Sequence, residues 1–163
     1  MKVKGIVFDF DGPIFDGRQA SRGALERTIS KFGAPRVDLH VLPLLRPRQL
    51  IALVYAESAL PSQRLQEICD FYQGCLNDEE GKLEIHEDIR TTVEQLASDG
   101  FRLAILTSRP EAEVRAHLSR LSLDGHFTAI VGSDTALVRK PYPEAGRQVA
   151  GRLGLAAEEV VVV

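Results

Sequence analysis

Val3-Lys4-Gly5-Ile6-Val7-Phe8-Asp9-Phe10-Asp11-Gly12 opens the chain and decides how the rest is read. Val3 to Phe8 is a short apolar run with β-branched residues, the pattern of a buried strand. Asp9 to Gly17 then breaks that pattern with two glycines, a proline and three aspartates. A loop at the C-terminal end of a strand is where open α/β sheets place their sites. In extended chain, residues i and i+2 point the same way, so the Asp9 and Asp11 carboxylates face one place. Two acids that close repel each other unless a cation or a proton joins them.

A hard divalent cation such as Mg²⁺ suits the pair, because it takes oxygen ligands and binds through one or two carboxylates plus phosphate oxygens. Gly12 would let backbone amides approach a phosphate closely. A plainer alternative stays open: Asp-Gly is a common turn pair, and Asp16-Gly17 repeats it.

Outward from this strand the hydrophobic period changes twice. Ala20 to Phe32 has helical spacing, stopped by Gly33 and Pro35. Leucine-rich helical stretches follow, Pro47 to Ser58 and Ser62 to Leu76, punctuated by prolines at 43, 47 and 61. Gln19 to about Leu83 therefore reads as a helical insert. Beyond it the chain alternates: helix 88–98, strand 101–106, helix 111–121, strand 127–131, helix 143–153, and a last strand of four valines, 160–163. Such alternation is the signature of a parallel sheet with helices on both faces. The valine run, with no polar alternation, predicts a strand in the middle of that sheet.

Two further loops at strand ends hold candidates. Thr107-Ser108 follows a strand and precedes a helix, where hydroxyls and amides either hold an anion or merely cap the turn. Lys140 lies in the loop after the third strand, placed to neutralise a phosphate or simply to be solvated; Arg139 beside it could exchange roles with it. Arg46 and Arg48, in the insert, are guesses for substrate selection. The histidines at 40, 86, 117 and 126 share no metal-ligand spacing, and His86 alone, near the insert junction, has any claim to touch substrate. No P-loop, nucleophile elbow or dinucleotide fingerprint is present.

Composition agrees with a folded domain: of 163 residues, 44 % are hydrophobic and 26 % charged, and the formal net charge of −3 gives no reason to attract nucleic acid. Cys69 and Cys75 read as reduced thiols, although one disulfide is the other reading; their spacing matches no zinc motif. Met1-Lys2-Val3-Lys4 runs straight into a strand, and no apolar stretch reaches membrane-span length, so a cytoplasmic protein is expected.

Three of these signals fall in a recognised order. Val7-Phe8-Asp9-Phe10-Asp11-Gly12, then Leu103-Ala104-Ile105-Leu106-Thr107-Ser108, then Lys140-Pro141 resemble the successive motifs of the haloacid dehalogenase-like hydrolase superfamily. The branch they resemble most is that of phosphoglycolate phosphatases and β-phosphoglucomutases. The resemblance spans almost the whole chain. It implies an α/β fold: a Rossmann-like parallel sheet formed by residues 1–18 and 84–163, with a helical cap over 19–83. It implies a phosphatase of small phosphorylated metabolites, with Asp9 as nucleophile, Asp11 as acid and base, and Mg²⁺ held by Asp9 and the backbone carbonyl of Asp11. Gly12, Thr107, Ser108 and Lys140 would bind phosphate.

Pro13 stands where the family usually has Thr or Val, and it removes an N–H. The acidic residues that the family places after the fourth strand have no counterpart before Val163, so part of the core's C-terminal side is expected to be missing. The edge or face left open there predicts a homodimer or larger assembly. Two other functions follow from the same features: a phosphosugar mutase, and a weak or inactive domain used for binding.

Overall fold

The computed structural model describes residues 2–33, 47–85, 87–138, 140 and 142–163. The chain divides into two compact units, Met1–Asp16 with Glu84–Val163, and Gly17–Leu83.

The first unit is an α/β layer structure. Its strands are β1 (Gly5–Phe8), β2 (Arg102–Leu106), β3 (Phe127–Val131) and β4 (Val160–Val162), all parallel in the order β3-β2-β1-β4. Every residue of β1 is buried, as expected for a strand covered on both faces. Val7, Ala104, Leu106, Ala129 and Val131 line one face and pack on Ala145 and Val149 of the helix Pro143–Arg152 and on Leu153 at its end. The intervening Ile6, Leu103, Ile105 and Ile130 alternate to the other face and are also buried. The helices Glu87–Ser98 and Glu111–Arg120 belong to this unit and bury Val93, Val114 and Leu118.

β4 departs from expectation. Among the described residues it pairs only with β1, so it is an edge strand, and Val161, Val162 and Val163 remain 43 %, 59 % and 57 % exposed. An unbroken apolar run signals apolar faces; how many neighbours a strand acquires is a matter of tertiary order.

The second unit is helical where described: Arg18–Phe32, Pro47–Val54, a 3₁₀ turn at Ala56–Ser58, and Ser62–Glu80. Leu25, Leu50, Ile51, Ile68 and Tyr72 form its buried centre, and the Tyr72 hydroxyl meets Ser21 Oγ at 2.8 Å. Cys69 and Cys75 are both buried free thiols. They lie on one continuous helix, Ser62–Glu80. Six residues of helix rise about 9 Å, beyond the reach of a disulfide. Residues 34–46, and with them His40 and Arg46, lie outside the described residues, as do His86, Arg139 and Pro141.

Candidate active site

The loop after β1 is anchored by its apolar residues. Phe10, Ile14 and Phe15 are 0 %, 3 % and 4 % exposed, and the Phe10 and Phe15 rings stack with centroids 5.3 Å apart. His117 packs against both rings, which gives it a structural place. The loop closes on itself: the Phe10 carbonyl accepts from the N–H groups of Ile14 and Phe15, and the Gly12 N–H donates to the Phe15 carbonyl. Those bonds use positions 12, 14 and 15, so the proline at 13 costs the turn none of them. The Gly12 N–H is used by the turn itself. Gly12 takes φ of +111°, a conformation that suits glycine. With Phe10 turned into the core, Asp9 and Asp11 are left partly exposed at the strand end.

Each of the two carboxylates has its own cation. Lys140 Nζ donates to Asp9 Oδ2 at 2.7 Å, while Asp9 Oδ1 accepts the Phe10 N–H at 2.7 Å. Arg109 grips Asp11 with its fork: Nε lies 3.0 and 3.1 Å from the two carboxylate oxygens, and Nη2 is 2.8 Å from Oδ1. This planar pairing adds orientation to charge. The Asp9 backbone is fixed as well, its N–H donating to the Val163 carbonyl at 2.9 Å.

Thr107 leaves β2 beside this loop, since Phe8 and Ile105 are register partners. Its N–H donates to the Val131 carbonyl, and its buried hydroxyl accepts the Arg109 N–H at 3.1 Å. The hydroxyl therefore serves its own turn, yet a hydroxyl that accepts one bond still has a proton to donate. Ser108 is exposed in the same turn.

The sequence reading brought forward Asp9, Asp11 and Lys140, and the structure joins Lys140 to Asp9. Arg109, which holds Asp11, is not among the residues that the sequence singles out. Charge count was the available signal: two acids against one lysine leave a negative surplus that a second strand-end loop has to balance.

The β2 and β3 loops are themselves knitted together. The Arg109 carbonyl accepts the Ser133 N–H at 2.9 Å, and the Glu111 N–H donates to Asp134 Oδ1 at 2.8 Å. A Cβ on Gly132 would run into the Glu111 backbone nitrogen and lie 2.7 Å from the Arg109 carbonyl oxygen. Only glycine permits that approach. Burial pushes the Glu111 carboxyl up, but bonds from Arg115 and Thr135 and the charges of Arg115 and Arg152 outweigh it, leaving Glu111 below the usual carboxylate range.

A parallel sheet with a two-aspartate loop after its first strand and a lysine from beyond its third defines a class, and residues 6–163 match the haloacid dehalogenase-like hydrolases. The chain belongs to that family of enzymes. It is 25 % identical to the phosphoglycolate phosphatase of Yersinia pestis over 169 residues, which cover 99 % of this chain and 72 % of that one. It is also 25 % identical to the pyrophosphatase PpaX of Bacillus cereus over 165 residues, covering 100 % of this chain and 74 % of the other. Among solved structures, a Thermotoga maritima protein described by prediction as a β-phosphoglucomutase superposes with a TM-score of 0.81 at 26 % identity, over 99 % of this chain and 75 % of that one. These similarities lie in the phosphoglycolate-phosphatase-like and β-phosphoglucomutase-like branch of the family.

Proposed function

We propose that this protein is a Mg²⁺-dependent phosphomonoester hydrolase that works through an aspartyl-phosphate on Asp9, with a small phosphorylated metabolite as substrate and residues 19–83 as its helical cap. The observation that carries the proposal is the pairing of Asp9 with Lys140 and of Asp11 with Arg109 at one strand end.

With Asp11 ionised those four groups sum to zero charge, and with the proton it carries into the first step they sum to +1. A dianionic phosphate ester entering alone would leave the site negative in either state, whereas Mg²⁺ entering with it adds no net charge. The donors also suit a hard cation, being carboxylate and carbonyl oxygens. The Asp9 carboxylate and the backbone carbonyl of Asp11 would hold it, and when bound it would neutralise charge on the phosphate oxygens.

In the first step an Asp9 carboxylate oxygen attacks phosphorus. The ester P–O bond breaks, and a proton on the Asp11 carboxyl passes to the leaving oxygen. In the second step a water oxygen attacks the phosphorus of the aspartyl-phosphate, its proton goes to Asp11, and the bond to Asp9 breaks. Ester and water become alcohol and inorganic phosphate. Lys140 offers positive charge to the equatorial oxygens and Thr107 a hydroxyl proton, the kind of help phosphoryl transfer most needs. The relatives named for phosphoglycolate and pyrophosphate support a small substrate.

Phosphate release from a panel of phosphomonoesters, with and without Mg²⁺, tests this on the chain and on Asp9→Asn. Metal-dependent release that vanishes in Asp9→Asn is the expected result. Unchanged release in Asp9→Asn, or none from the folded parent chain, would reject the proposal.

The similarity to a protein described as a β-phosphoglucomutase favours one second reading, return of the phosphoryl group to sugar. Label that stays on sugar phosphate instead of appearing as inorganic phosphate would select it.

A further inference from the structure

We propose that Arg109 is a positioning residue that holds the Asp11 carboxylate in the plane from which it exchanges a proton with the leaving oxygen. The inference rests on the functional reading above and adds a residue to it.

Arg109 is fixed at both ends. Its N–H donates to Thr107 Oγ1 at 3.1 Å, its carbonyl accepts from Ser133 at 2.9 Å, and the glycine beneath, Gly132, admits no Cβ. Its guanidinium carbon lies 5.6 Å from the Phe10 ring centroid and 5.4 Å from that of Phe15. Those two rings are buried, so the cation rests on a rigid apolar platform.

Each of the three guanidinium nitrogens donates to a carboxylate: Nε and Nη2 to Asp11, and Nη1 to Glu113 at 2.6 Å. The Arg109 side chain is 18 % exposed and that of Asp11 34 %, so the anchor is better buried than the acid it holds. Asp11 sits on a short loop, and among the described residues its carboxylate is bonded by the Arg109 fork alone. A lysine would restore charge as a point and not as a plane.

The test compares the parent chain with Arg109→Gln and Arg109→Lys on two substrates, an alkyl phosphomonoester and 4-nitrophenyl phosphate, reading kcat/KM. An alkoxide needs the proton that Asp11 delivers, whereas nitrophenolate leaves with little help. A positioned general acid contributes about 10²–10⁴-fold, so Arg109→Gln is expected to lose roughly 100-fold on the alkyl ester and less than about tenfold on the aryl ester. KM should change little, and Arg109→Lys should fall between parent and Gln. Thermal melting checks each variant, and Arg109→Lys carries the comparison if Arg109→Gln does not fold.

Equal losses on both esters, or a loss borne mainly by KM, would overturn the inference while leaving the phosphatase reading intact. A parent chain inactive on both esters would instead overturn the functional reading, and this inference with it.

Discussion

Gly12 stands between the two carboxylates and the turn that supports them, and its backbone carries the cost of that position. A Cβ there would meet no atom within 4 Å, so crowding is absent, but φ of +111° is strained for any L side chain. Gly12→Ala is therefore expected to lose about 1–3 kcal/mol of stability through the backbone alone. Urea unfolding would measure it, and phosphate release should fall with it as Asp11 is displaced. At this scale the sequence was legible in part. The i, i+2 spacing of Asp9 and Asp11 is a property of extended chain and could be read directly. That Arg109 would reach Asp11 could not be read, because their separation of 98 residues is closed only by the sheet.

Among elements, the helix that begins at Glu111 shows how one residue serves two loops. Acidic residues in its first turn, Glu111 and Glu113, complement the helix dipole. Glu111 does more: its carboxylate takes two bonds from Arg115 and one from Thr135, a residue of the β3 loop. Its pKa is lower folded than unfolded, so its stabilisation is full above the ordinary glutamate range and is lost as pH falls through the folded value. Glu111→Gln should melt below the parent chain at about pH 7, with the difference closing on the acid side of about pH 4. Thermal melts across that range would show it; a difference independent of pH would contradict the assignment. Helix and strand types for the α/β unit were legible because their periods differ and glycines and prolines punctuate them. The edge place of β4 does not follow from its valines, which report on faces and say nothing of neighbours; the open edge was expected only from the acidic residues with no counterpart before Val163.

For the molecule as a whole, charge sets the expected response to metal. Asp9, Asp11, Lys140 and Arg109 form a neutral quartet on a chain of formal charge −3. On the proposed mechanism a phosphate dianion alone would disturb that balance and Mg²⁺ would restore it. Removing divalent cations with a chelator should suppress turnover, and added Mg²⁺ should recover it. Substrate affinity measured with and without Mg²⁺ would check the same point independently of turnover. Among the described residues no helix is long and apolar enough to cross a membrane.

By itself the sequence determined the kinds of elements, their order, and the placing of Asp9, Thr107 and Lys140 in loops that follow strands. These depend on local periodicity and on residues that interrupt it. The tertiary structure decided which loops meet. Parallel strands β1, β2 and β3 end on the same side, so their C-terminal loops gather there whatever their distance along the chain. Lys140 thus reaches Asp9 across 131 residues, and Arg109 reaches Asp11 across 98. Pairing of charge across such distances is written in strand order, which local pattern does not contain.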